Sequence, residues 1–224
     1  MVLDSTATVN GQDLNQATMM MNLAKKVSHL FASSPAGNSV GMVVYGGSPQ
    51  PSVVHFDKFL DQKTMDEAIE NASKPSVEMK IGKALSMAQQ ELFSQLSMFN
   101  RNILLLVTDG ASFDDVSRPA LELKRRGIEV FCLGVGKDVN EAQLDLIASD
   151  PKENHVFLAP LNDAGALIGR IQREICLAAN RESKLFFKSI TALATKSRSN
   201  AQFKMHVNRL LNGASRDEKH TNKQ

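Results

Sequence analysis

Short apolar, β-branched runs alternate along the chain with longer stretches in which apolar residues recur every three or four positions. That alternation predicts strands and helices following one another. Val2-Leu3 and the runs at 39–45, 53–56, 102–108, 128–135 and 155–158 read as strands. Met20, Leu23, Ala24, Val27, Leu30 and Phe31 mark one face of a first helix, and Leu85, Ala88, Leu92 and Leu96 one face of another. Val116, Ala120 and Leu123 trace a helix closed by Gly127, and Leu167, Ile168, Ile171 and Ile175 trace a further one. The fold class expected is α/β, a doubly wound, mostly parallel central sheet flanked by helices.

Beyond residue 180 the pattern changes. Leu185-Phe186-Phe187, Ile190 and Leu193, then Phe203, Met205, Val207, Leu210 and Leu211, are separated by basic residues and predict two amphipathic helices. The organisation expected is a main domain over 1–178, a basic amphipathic helical extension over 179–212 and a polar, disordered tail over 213–224.

Composition narrows the function. With 224 residues, 42% of them hydrophobic and 22% charged, the chain is globular and long enough for one full-sized core. No apolar run approaches the roughly 20 residues of a membrane helix, and Met1-Val2-Leu3-Asp4 lacks the features of an export signal. Two cysteines, Cys132 and Cys176, cannot form a disulfide scaffold, and Cys132 sits in an apolar run that suits a buried thiol. The net charge of +2 conceals a division: residues 1–180 hold 16 basic against 21 acidic residues, and 181–224 hold 10 against 3. A nucleic-acid reading would rest on that tail alone, with Phe186, Phe187 and Phe203 as stacking groups, but their helical spacing fits packing better. No nucleic-acid partner is expected.

Catalysis is not expected either. An aspartate closing a first strand can be a phosphatase nucleophile, but the chemistry requires a second carboxylate two residues on, and position 6 is Thr6. His29, His55, His155, His206 and His220 show no metal spacing, and Gly134-Val135-Gly136 lacks the third glycine of a dinucleotide loop.

In a doubly wound sheet the working site lies at the carboxyl ends of the central strands, and two predicted strands end in an aspartate, Asp4 and Asp109. Either could merely cap a turn. If the two strands are neighbours, both carboxylates meet at one rim. Asp4-Ser5-Thr6-Ala7-Thr8 adds hydroxyls at alternate positions. Such hard oxygen donors suit Mg2+ or Mn2+, which commonly retain waters and so leave a coordination position for a ligand carboxylate.

The segment 102–136, NILLLVTDGASFDDVSRPALELKRRGIEVFCLGVG, resembles the second half of a von Willebrand factor type A domain. The likeness rests on the strand ending in Thr108-Asp109-Gly110, the helix over 116–126 and the strand closing on Gly134-Val135-Gly136. Gly82-Lys83-Ala84-Leu85 upstream, and Leu146 to Pro151 with His155-Val156-Phe157 downstream, extend it over residues 1 to about 178. Within that Rossmann-like family the chain is most similar to the domains of collagen type VI and matrilin-like matrix proteins.

The resemblance implies a metal-ion-dependent adhesion site. Asp4, Thr6 and Thr8 take its first motif, with threonine for serine at both hydroxyl positions, and Asp109 takes its last. A later threonine of the motif is replaced by Met79 or Ile81, neither of which binds a hard cation, and Glu78 is the candidate substitute ligand. The resemblance also implies a longer first strand, so the chain is expected to be a fragment. It further implies a disulfide from Cys176 to a cysteine upstream of Met1. Asn71-Ala72-Ser73 is an N-glycosylation sequon expected near a helix end. Two functions of different class are expected. One is a non-enzymatic, extracellular adhesion module that binds a carboxylate of a matrix or cell-surface protein through Mg2+ or Mn2+. The alternative is a metal-independent structural interaction domain in a larger assembly.

Overall fold

The computed structural model describes residues 1–4, 14–30, 40–45, 52–55, 62–72, 80–94 and 101–180. Two compact units divide the chain, Met1–Cys176 and Leu177–Gln224. Of the second, the described part is the end of a helix over 168–180, so the helices expected in the basic extension and the tail expected after 213 lie outside the described residues.

Six strands form the sheet: β1 Val2–Asp4, β2 Met42–Tyr45, β3 Ser52–Val54, β4 Ile103–Thr108, β5 Glu129–Val135 and β6 Val156–Ala159. Their order is β3-β2-β1-β4-β5-β6, with β3 antiparallel at one edge and the other five parallel. The chain lays down β2 and β3 on one side of β1 and then crosses to build β4, β5 and β6 on the other. Strand order therefore reverses between β1 and β4, which makes that boundary the topological switch point.

Helices cover both faces. α1 Leu14–Leu30 packs on α2 Gln62–Ala72 and on the 3-10 segment Leu161–Leu167. α3 Ile81–Met87, prolonged by a π turn over Ala88–Leu92, packs on α4 Ser117–Arg125, and α4 packs on α5 Glu141–Ile147. Alternate strand positions share a face. Thus Val2, Val43, Tyr45, Leu104, Leu106, Val130 and Cys132 join Ile81, Leu85, Ala120, Leu123, Leu144 and Ile147 in one core cluster. Leu3, Val44, Leu105, Val107, Phe131 and Leu133, the intervening positions, are equally buried against the opposite layer.

The structure adjusts several sequence boundaries. The strand expected at 39–45 begins at Met42, and His155 belongs to a short helix, α6 Lys152–His155, instead of β6. Pro151's carbonyl and the Glu129 carboxylate hold the two ring nitrogens of His155 at 2.8 and 2.9 Å, which turns this residue out of strand register. The amphipathic helix expected around 85–96 starts earlier, at Ile81, and ends its described course in the π turn. α4 closes as expected on Gly127, whose φ of 75° is the left-handed conformation glycine tolerates.

Candidate metal centre at the switch point

β1 pairs with β4 through Val2↔Leu106 and Leu3↔Val107, and with β2 through Asp4↔Tyr45. One step past the last β1–β4 pair, Asp4 ends β1 at the level of Thr108, and Asp109 follows β4 immediately. The two aspartates thus stand at the carboxyl ends of adjacent central strands, on either side of the switch point. Thr6, Thr8 and Glu78 lie outside the described residues, as does Met79.

Among the described residues, three polar side chains on this rim are buried: Thr108, Asp109 at 6% exposure and Ser112. Buried polar groups at the end of a sheet are more informative than any exposed charge, because each must be matched by hydrogen bonds or by an opposite charge. The Tyr45 hydroxyl reaches across β1 to the Thr108 Oγ1 at 3.3 Å, so β2, β1 and β4 are tied together just beneath Asp4. Thr108 Oγ1 also lies 3.4 Å from both the N–H and the carbonyl of Gly110, spanning the turn on which Asp109 rides.

The next residues form a clamp on α3. Lys80 occupies the N-cap position of that helix and makes no capping hydrogen bond with its side chain, which would leave the first amide groups without acceptors. Acceptors come from another loop. Ile81 N–H donates to Ser112 Oγ at 2.9 Å, while Gly82 and Lys83 N–H donate to the two Asp114 carboxylate oxygens at 2.9 and 2.8 Å. Ser112 Oγ in turn donates to Asp114. Gln143 of α5 secures the loop from behind, accepting from Ser112 N–H at 2.8 Å and donating to the Ser112 carbonyl at 3.0 Å. Local pattern reading missed Ser112 and Asp114, since a cap delivered from a distant loop has no signature at the helix itself.

Of the expected donors, the Asp109 side chain is described, and it is a shielded carboxylate at the switch point of the kind that suits a hard divalent cation; Asp4 is described by its backbone, which ends the neighbouring strand. Ile81 is 1% exposed and lies in the core cluster, so of the two positions open for the missing hydroxyl, 81 is committed to packing. The Ser112 hydroxyl is engaged on the helix side of the rim, accepting from Ile81 N–H and donating to Asp114. Among the described residues, no three side chains of the His, Cys, Asp and Glu types gather as metal ligands.

Asn71 is exposed on the last turn of α2. Cys176 is exposed on the helix over 168–180, whereas Cys132 is buried in β5, where desolvation pushes its thiol far above the usual range.

An open α/β sheet with a parallel centre, its polar rim at the switch point, defines a doubly wound, Rossmann-like α/β domain. The model of the von Willebrand factor type A domain matches residues 1–173, and the chain belongs to that family. Human vitrin is 27% identical over 185 residues, covering 82% of this chain and 26% of vitrin. Rat von Willebrand factor A domain-containing protein 1 is 28% identical over 167 residues, 72% of this chain and 39% of that protein. The collagen alpha-1(XII) chain of Oryctolagus cuniculus is 29% identical over 119 residues, 51% of this chain and 18% of the collagen. The chain thus spans well under half the length of these relatives.

Among solved structures, proximal thread matrix protein 1 from the mussel byssus, with its adhesion-site motif occupied by zinc, superposes with a TM-score of 0.67 at 20% identity. That match covers 78% of this chain and 44% of the other. Manganese-loaded TRAP protein of Plasmodium vivax gives 0.59 at 18% identity, over 75% of this chain and 69% of the other. These likenesses establish the fold.

Proposed function

We propose that this domain is a non-enzymatic adhesion module of a larger extracellular-matrix protein, which binds an acidic side chain of a protein partner through a divalent cation. The observation that carries the reading is the pairing of β1 with β4, which sets Asp4 and the buried Asp109 at adjacent strand ends. Asp4, Thr6, Thr8 and Asp109 would hold the ion, with Glu78 as the further oxygen donor where the family's threonine is missing. Mg2+ or Mn2+ bound there supplies an open coordination position for the partner's carboxylate. Relatives named as collagen chains and structural neighbours described as zinc-occupied and manganese-loaded support this reading.

Extracellular placement, glycosylation of Asn71 and pairing of Cys176 with a cysteine of a longer chain belong to the same proposal. Among the described residues no helix is long and apolar enough to cross a membrane.

A second reading, a structural interaction domain that works without metal, is favoured by the clamp. Ser112 and Asp114 occupy the α3 N-terminus with the chain's own groups, so the rim keeps its shape without an ion. Titration with Mg2+ and Mn2+, followed by calorimetry and thermal unfolding, separates the two. The adhesion reading expects saturable binding and a Tm that rises with metal concentration, both lost with EDTA and in Asp109→Ala. Identical traces for wild type with and without metal would leave the structural reading.

A further inference from the structure

His155 lies at the junction of α6 and β6, 1% exposed and at the opposite end of the sheet from Asp109. Its ring stacks on Phe131, with the centroids 4.4 Å apart, and each ring nitrogen meets one oxygen. Nδ1 is 2.8 Å from the Pro151 carbonyl oxygen, and Nε2 is 2.9 Å from Glu129 Oε1. A carbonyl oxygen only accepts, and so does an ionised carboxylate, whereas a neutral imidazole carries one N–H and one bare lone pair. Either neutral tautomer would therefore aim a lone pair at an oxygen in a site closed to water. With both nitrogens protonated the two contacts become hydrogen bonds, one of them charge-assisted.

The surrounding charges leave that task to Glu129. Its second oxygen lies 3.5 Å from Arg101, ahead of β4. Lys152 on α6 is turned to Asp150 at 3.2 Å and to the carbonyls of Ala148 and Ser149, and Glu153 is exposed. Lys124 from α4 shares the Ala148 carbonyl, while Arg170 lies over Phe157 and donates to the Glu153 carbonyl. The backbone gives the ring little room to withdraw: Ser149 N–H donates to the Val130 carbonyl and Val130 N–H to Ser149 Oγ, each at 2.9 Å.

We propose that His155 is held as an imidazolium and works as a pH-sensitive latch, fastening the α6–β6 corner to β5 through Glu129 while charged and loosening it when the second proton leaves. An unfolded histidine gives up that proton at about pH 6.5. Below this pH the ring is charged in both states and the latch contributes fully. Above it the unfolded ring is neutral while the folded one keeps its proton, so the folding constant falls by up to about tenfold per pH unit until the folded ring also lets go. A histidine buried in its neutral form behaves in the opposite sense and loses stability on acidification.

Urea unfolding of the 224-residue chain, repeated from about pH 5.5 to about pH 8.5, tests the latch against His155→Gln and Glu129→Gln. Wild type is expected to lose stability as the pH rises past about 6.5, and both variants are expected to lack that loss. In Glu129→Gln the amide can donate to a neutral ring, so nothing then requires the second proton. A long-range 1H–15N spectrum of the wild-type rings at about pH 7 is expected to show both His155 nitrogens protonated, and it decides the matter should either variant fail to fold. One bare ring nitrogen in that spectrum overturns the latch. So does a wild-type profile that parallels His155→Gln or falls on acidification relative to it, and so does a loss that persists in Glu129→Gln.

Discussion

Replacing Asp114 by alanine should destabilise the domain by about 3 kcal/mol, although the residue is remote in sequence from the helix it serves. The carboxylate accepts the Gly82 and Lys83 amides and the Ser112 hydroxyl. Loss of a capping side chain costs about 0.5–2 kcal/mol. A negative charge removed from a helix N-terminus adds about 0.3–1 kcal/mol. The Gly82 amide, on a buried residue, would be left without its acceptor at a cost of about 1–3 kcal/mol, whereas water can reach Lys83. These contributions overlap, which is why their combined effect is set in the lower half of the summed range. For a domain of this size the loss corresponds to a Tm lower by about 6–12 °C. Asparagine, itself a good capping residue, should cost only about 1 kcal/mol. Asp115→Ala, which removes an acceptor from the exposed Ser117 amide, should cost about 1 kcal/mol as well. Urea and thermal unfolding followed by circular dichroism measure all three. If Asp114→Ala lies within about 0.5 kcal/mol of wild type, the clamp does not hold the rim.

Gly82→Ala should be worse than its chemistry suggests. The new methyl would meet the Asp115 carbonyl oxygen at 2.1 Å, a backbone atom that cannot swing aside as a side chain could, so a loss of about 3 kcal/mol in urea unfolding is expected and a neutral result would show the loop to be pliable. In the 224-residue chain produced by itself, only exposed Cys176 of the two thiols should react with iodoacetamide at pH 8 without denaturant. Burial suppresses the Cys132 thiolate until the chain unfolds, and mass spectrometry finding Cys132 alkylated under native conditions would contradict the described core.

Legibility in the sequence followed the physics of each element. β4 and β5 were plain because strands covered on both faces are apolar at nearly every position. α2 was not, because within its 11 residues Met65 and Ile69 are the buried large apolar positions and the rest is polar or alanine. α5 is only two turns long and commits Leu144 and Ile147 to the core, too short a run for a helical period to emerge. Asp4 and Asp109 could be named as candidates from their places after two apolar runs. Their placement at adjacent strand ends could not, since parallel pairing joins segments about a hundred residues apart and leaves no local trace. Of Met79 and Ile81, the described one is Ile81, and only packing shows its side: an apolar residue at the first position of a helix can face either rim or core, and Ile81 faces the core.

The rim is built in two halves that meet at one loop. The sheet half is the paired ends of β1 and β4, carrying Asp4, Thr108 and Asp109, with Thr108 held by the Tyr45 hydroxyl. The helix half is the start of α3, fastened by Ser112 and Asp114. The residues from Gly110 to Asp115 join them, and their hydrogen bonds to α3 and to Gln143 all come from the chain itself. A cation seated beside Asp109 would add contacts to a loop already held, so its affinity reflects the ligand set and owes little to the energy of folding the loop. Chelation should therefore remove binding without unfolding the domain. The adhesion and structural readings consequently differ in what the rim can hold, while sharing one fold.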